Sequence, residues 1–221
     1  MQTNTSRRGV FITFEGLDGS GKSTQMRLLS ERLRASGFDV FESVEPGGTP
    51  IGQQIRRILL HEDNTELAPT AELLLMFAAR AQNVDQWILP ALSEGKVVLS
   101  DRWTDSTIAY QGYGRGLDSD GLRALVSFAA AGLVPDLSVL VDVPVEVAAA
   151  RLAAAGRRGA DRLERLGPDF AAAVREGFVA QAAAEAGRWL VVDGTADAGT
   201  VTARIVDAVH ERFGDPPAGR R

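Results

Sequence analysis

The apolar run VFITF (Val10–Phe14) passes directly into EGLDGSGKST (Glu15–Thr24), and that junction constrains the fold more than any other part of the chain. Gly16, Gly21, Lys22 and Ser23 match G-x-x-x-x-G-K-[ST], a phosphate-binding loop when a strand precedes it and a helix follows. Glycines let successive backbone N–H groups turn inward, and the helix beginning near Lys22 adds the positive end of its dipole. Gly16, Leu17, Asp18, Gly19, Ser20, Gly21, Lys22, Ser23 and Thr24 are therefore expected around the phosphates of ATP. Lys22 would reach the β- and γ-phosphates, and the Ser23 hydroxyl would join a Mg²⁺ shell. Lysine occurs only here and at Lys96 in 221 residues, so Lys22 is not incidental surface charge. One residue is out of keeping with an anion cradle: Asp18 carries a negative charge of its own.

Around the loop, short and almost continuously apolar runs alternate with longer helical patterns. The strand candidates are Val10–Glu15, Asp39–Glu45, Val97–Ser100, Leu137–Val143 and Trp189–Asp193. Runs of that kind suit strands buried on both faces of a parallel sheet. Val201, Ile205, Ala208, Val209 and Phe213 form one apolar stripe at helical spacing, and Leu73, Met76, Phe77 and Arg80 recur at similar intervals upstream. The fold expected is α/β, with five parallel strands flanked by helices joined through right-handed crossovers. A single domain over residues 10–213 accounts for the length, with loose termini at 1–9 and 214–221.

Composition narrows the function. The net charge of −5 disfavours binding to a nucleic-acid polymer but leaves small phosphorylated ligands open. No apolar stretch is long enough to span a bilayer, and no signal-peptide pattern opens the chain. The lack of cysteine excludes thiolate chemistry and suits a cytoplasmic location. The asparagine–lysine element with which switch GTPases read guanine is missing, because neither lysine follows an asparagine.

VVLSDRW puts Asp101 and Arg102 at the C-terminal end of a strand, the edge where open α/β sheets bind ligands. An aspartate there can hold Mg²⁺ or orient a nucleophile, and the arginine can fork onto a phosphate. A strand-end aspartate can equally cap the next helix. Asp142 in LVDVP is a rival acid, but no arginine follows it.

EGLDGSGKST, EPGGT (Glu45–Thr49), FAAR (Phe77–Arg80), SDRW, STIAYQG (Ser106–Gly112), PDLSVLVDVP and ADRLE (Ala160–Glu164) occur in an order that resembles the bacterial thymidylate kinases, from about Val10 to Phe213. The resemblance implies a P-loop nucleoside monophosphate kinase that moves the γ-phosphoryl group of ATP to dTMP, with Mg²⁺ as cofactor and a homodimer as the common assembly. By motif, Arg102 would bind the acceptor phosphate, while Glu45, Arg80, Thr107, Tyr110 and Gln111 would surround the thymine nucleotide. Either Met76 or Phe77 would cover the base. Asp18 would turn away from ATP and accept a hydrogen bond from the deoxyribose 3′-hydroxyl, although a loop-stabilising Asx turn is the simpler reading.

The stretch AAAGRRGADRLERLGPD places Arg157, Arg158, Arg162 and Arg165 among glycines. It reads either as a solvated basic loop or as a lid, about residues 155–167, that brings arginines to the transferring phosphoryl group. The phosphate loop has no arginine between Gly16 and Gly21, so the resemblance implies that the lid supplies it, through Arg157 and Arg162. Val44 departs from the family pattern, which has an arginine before Glu45. A kinase for another deoxynucleotide and a non-catalytic nucleotide-binding regulator remain the alternatives.

Overall fold

The computed structural model describes residues 8–155 and 162–214. Its parallel strands are β1 (Val10–Glu15), β2 (Val40–Val44), β3 (Val97–Asp101), β4 (Leu137–Asp142) and β5 (Trp189–Asp193), in the order β2-β3-β1-β4-β5. Four strand ends differ by one residue from the sequence expectation: Asp39 and Glu45 lie just outside the β2 ladder, Val143 just outside β4, and Asp101 just inside β3. Asp101 aligns with both Phe14 and Val44. The C-terminal ends of β1, β2 and β3 are therefore level, and the loops leaving them open along one edge.

Helix α1 (Lys22–Ala35) and helix α9 (Ala198–Phe213) cover one face of the sheet, joined to it through Phe14, Ile12, Leu29, Val201 and Ile205. Full burial of a side chain such as Ile12 or Phe14 contributes about 1.5–3 kcal/mol. The expected stripe on α9 faces inward at Val201, Ile205 and Val209, with Ala208 and Phe213 at its border. The other face packs under α3 (Pro69–Asn83), α4 (Leu89–Ser93), α5 (Thr104–Thr107), α7 (Val145–Ala154) and α8 (Pro168–Ala184). Helix α2 (Pro50–Leu60) begins at Thr49, whose Oγ1 accepts the Gly52 N–H at 2.9 Å, with proline at its first position. Helix α6 (Ser119–Ala129) packs on α3 through Leu122 and Phe77.

One departure from ordinary helix matters for the site. Residues Ile108–Gly114 form a π-helical segment continuing from α5. Such insertions are frequent at functional sites. This one turns Tyr110 and Gln111 toward the sheet edge, where both are buried.

Candidate active site

The loop after β1 has the conformation that its sequence implied. Gly16 (φ 134°) and Gly19 (φ 83°) sit in backbone regions closed to most side chains. A Cβ on Gly16 would lie 2.5 Å from the Val141 carbonyl oxygen, and one on Gly19 would lie 2.3 Å from that of Ala148. Lys22 folds back under the loop, donating to the Leu17 carbonyl at 2.7 Å, with Asp18 Oδ1 3.7 Å away. Burial, and then the Arg102 charge, lower the Lys22 pKa, against Asp18, Asp101 and Glu15. Ser23 and Thr24 are exposed on the first turn of α1.

Two strand-end acids competed in the sequence, and their partners separate them. Asp142 is held by Arg175 through a two-pronged pair, both bonds 2.7 Å. Asp101 instead accepts the Ser23 hydroxyl. A hydroxyl and a carboxylate thus converge beside the phosphate loop. These are hard oxygen donors of the kind Mg²⁺ takes, in the small number it uses when phosphates and water complete its shell. No group of three or more acidic, histidine or cysteine side chains that could hold a metal occurs among the described residues.

Asp18, Lys22, Ser23, Glu45, Met76, Arg80, Asp101, Arg102, Thr107, Tyr110 and Gln111 line one cleft. Arg102 stands at its centre in the left-handed region, at φ 72°. That conformation costs about 1–3 kcal/mol for a residue with a side chain. It is held by the Arg102 N–H bond to the Phe14 carbonyl (2.9 Å) and the Ser100 hydroxyl bond to the Arg102 carbonyl (2.8 Å). The guanidinium meets Asp18 Oδ1 at 2.7 Å, the Tyr110 hydroxyl at 2.9 Å and Ser106 Oγ at 3.0 Å. Burial opposes the charge on Asp18, but Arg102 and Lys22 outweigh it and hold the carboxyl far below the usual range. The anion in the cradle is therefore the counter-charge of Arg102.

Behind Arg102 lies a buried acid. Ser106 Oγ donates to Glu15 Oε2 at 2.5 Å, while Glu15 Oε1 is buried without a partner. Burial and the neighbouring Asp105 push the Glu15 carboxyl up to about 8, against Ser106, Arg102 and Lys22.

Further polar side chains line the same cleft. Arg80 is tied by Nε to Glu45 Oε2 (2.7 Å) and by Nη2 to the Trp103 carbonyl (3.1 Å), leaving Nη1 buried and without a partner. Gln111 donates Nε2 to Glu72 Oε1 at 2.8 Å. Met76 lines the cleft, whereas Phe77 packs with Leu73, Leu122 and Ala129 between α3 and α6. Of the two candidates to cover a base, the structure brings only Met76 to the cavity.

The profile of the thymidylate kinase family matches residues 14–205. The chain is 50% identical to the thymidylate kinase of Pelotomaculum thermopropionicum over 204 residues, covering 92% of this chain and 94% of that one. It is 47% identical to the thymidylate kinase of Citrifermentans bemidjiense over 209 residues, 93% of each. The crystal structure of thymidylate kinase from Ehrlichia chaffeensis superposes with a TM-score of 0.76 at 30% identity, covering 91% of this chain and 99% of that one. The chain belongs to the thymidylate kinase family.

Several residues of this thymidylate kinase fold carry the site without having stood out in the sequence. Arg56 on α2 lines the same cleft as Val44 and donates to the Pro46 carbonyl at 2.6 Å. An arginine thus reaches the cleft that Val44 lines, where the family pattern has an arginine in place of Val44. Arg151 on α7 braces the phosphate loop, reaching the Ser20 carbonyl at 3.2 Å and the Gly194 carbonyl at 2.9 Å. Its one signal was to be the only charge in an alanine run. Arg162, expected to reach the transferring phosphoryl group, is buried between α2 and α3, with Nε on the Leu59 carbonyl (3.0 Å) and Nη2 on Glu72. Arg157 and Arg158 lie outside the described residues.

Proposed function

We propose that the protein transfers the γ-phosphoryl group of ATP to dTMP, giving dTDP and ADP for dTTP synthesis. The observation that carries this reading is one cleft with a phosphate loop at one end and a donor–acceptor pair at the other. Arg80 Nη1 is a buried N–H donor without a partner, and Gln111, with its carbonyl acceptor, lines the same cleft. Thymine offers the complement, an O4 acceptor beside an N3–H donor. A site that hydrogen-bonds a specific edge rejects analogues strongly, because its own buried groups are otherwise left unpaired. Met76 supplies a polarisable flank for the ring.

In this reading the acceptor phosphate lies on Arg102 and Arg56, and one of its oxygens attacks the γ-phosphorus in line. The bond to the β–γ bridging oxygen breaks and ADP leaves. Lys22 and the loop N–H groups hold the donor phosphates. Asp18 keeps Arg102 charged and aimed, and presents its second oxygen to the sugar 3′-hydroxyl. Ser23 and Asp101 would hold Mg²⁺, which neutralises charge on the β- and γ-phosphoryl oxygens. Arg157 and Arg162 complete the charge stabilisation; Arg162 would have to exchange its Glu72 contact to do so. Support for this comes from the lack of an arginine between Gly16 and Gly21.

We further read residues 10–213 as one kinase domain acting in the cytoplasm. Among the described residues, no helix is long and apolar enough to cross a membrane. A homodimer is supported by an apolar surface on α3, α6 and the loop that follows. There Leu74, Leu125, Val134 and Phe128 are exposed, Phe128 to 86%. Large apolar side chains exposed on neighbouring elements are a feature of association sites.

The test is a steady-state acceptor panel with ATP and Mg²⁺, reading ADP formed with dTMP, dUMP, dCMP and dGMP. The highest kcat/KM is expected for dTMP. A higher value for another monophosphate would reassign the acceptor, and ATP binding without ADP release for any of them would leave only a nucleotide-binding regulator.

A further inference from the structure

The buried carboxylate of Glu72 touches none of the reacting groups described above and enters there only as the resting partner of Arg162, yet it receives three bonds. Oε1 accepts the Gln111 amide at 2.8 Å; Oε2 accepts Arg115 Nη2 at 2.9 Å and also Arg162 Nη2. Glu72 is 0% exposed and Gln111 1% exposed. Burial works against its charge, but the bonds from Gln111, Arg115 and Arg162 prevail and lower its pKa. An ionised carboxylate has acceptors only.

The consequence falls on Gln111. An amide has a donor end and an acceptor end, and which one points where is decided by its hydrogen-bond partners. Against an ionised carboxylate flanked by two arginines, only the NH₂ end is tolerated. The carbonyl oxygen is then the end left for the cleft that Gln111 lines. Arg80 lines the same cleft, and its buried Nη1 can only donate. A base with an acceptor next to a ring N–H satisfies both groups. Cytosine, with an exocyclic amine next to a bare ring nitrogen, would set donor against donor and acceptor against acceptor.

We propose that Glu72 is a specificity-setting positioning residue: by fixing the Gln111 amide with its oxygen toward the acceptor, it makes the site require a pyrimidine protonated at N3 and exclude cytosine. This deepens the thymidylate reading and rests on it. Uracil shares the same edge, so Glu72 governs the choice against cytosine and leaves that between thymine and uracil to other contacts.

Glu72→Gln is the informative change. Arg115 and Arg162 would draw the new carbonyl oxygen, so the new NH₂ would face Gln111. Gln111 would answer by turning its own oxygen inward and its NH₂ into the cleft. Steady-state kinetics with ATP and dTMP, dUMP or dCMP read the result. The kcat/KM ratio of dTMP over dCMP is expected to fall at least about tenfold, as for exchanging a matched buried pair for a mismatched one. The fall should come mainly from a higher KM for dTMP, and the dTMP to dUMP ratio should stay near the wild-type value. A purely structural role would depress all three acceptors together and leave both ratios alone, and that result overturns the proposal. If Glu72→Gln does not fold, Glu72→Asp keeps a charge for the arginines but draws back from Gln111. The same fall is expected there, and an unchanged ratio is equally fatal. A wild type that does not prefer dTMP over dCMP would instead sink the acceptor assignment itself.

Discussion

Glu15 ends the first strand, directly ahead of the phosphate loop, and its replacement by glutamine should change how stability responds to pH. Its carboxyl is raised from an ordinary 4.5 to about 8, chiefly by burial and then by Asp105. Between those values the folded protein keeps a proton that the unfolded chain releases. Stability supported by this group is therefore complete below the unfolded value and drains away as pH rises toward the folded one. The slope is about 1.4 kcal/mol per pH unit for one proton, so the wild type should lose roughly 4 kcal/mol from this group between about pH 5 and pH 8. Glu15→Gln keeps a carbonyl to accept the Ser106 hydroxyl and has no proton to lose. Urea unfolding of the ligand-free protein, followed by the fluorescence of Trp103 and the other tryptophans, gives both stabilities at each pH. Subtracting one from the other cancels the titrating groups that do not interact with Glu15. The variant should gain on the wild type steadily as pH rises. A difference that stays flat, or shrinks, would show that Glu15 is ionised in the folded state and that the reasoning from its burial is wrong.

Other outcomes follow from the cleft. Asp18→Asn removes the counter-charge of Arg102 and should lower kcat/KM for dTMP about 10- to 100-fold, in line with about 1.5–3 kcal/mol for a bond to a charged group. It should also narrow the preference for dTMP over its 3′-deoxy analogue, and unchanged discrimination would remove Asp18 from the sugar site. Arg56→Ala should raise the KM for dTMP about tenfold while sparing that for ATP, as expected for losing one charge-assisted contact to the acceptor phosphate. Arg157→Ala should cut kcat by about 10³ or more, by analogy with arginines that act on transferring phosphoryl groups, with little change in ATP affinity. Phe128→Glu places a charge in the exposed α3–α6 patch and should yield a monomer by sedimentation; a dimer that survives would put the interface elsewhere.

How much of this was legible in the chain depends on whether a residue's partners are near it in sequence. The phosphate loop needs glycines, a lysine and a hydroxyl at fixed local spacing, so Gly16 to Ser23 declared it without help. The strands announced themselves because burial on both faces demands continuous apolar runs, and their ends were misjudged by one residue because ladder bonds depend on the neighbouring strand. Asp101 and Asp142 looked alike as strand-end acids. Only the fold puts Arg175 on one and Ser23 on the other. Phe77 and Met76 share a helix, and the packing of α6 decides which of them meets the cleft. Asp18 was visible as an anomaly, but its answer is Arg102, 84 positions away. The same holds for Glu15 and Glu72, whose significance comes from Ser106, Gln111 and Arg115 across the fold. The sequence by itself determined the sheet, the phosphate loop and, through seven ordered motifs, the family. Charge pairing, burial and the direction of a single amide were left to the tertiary structure, because each is set by groups that only folding brings within hydrogen-bond reach.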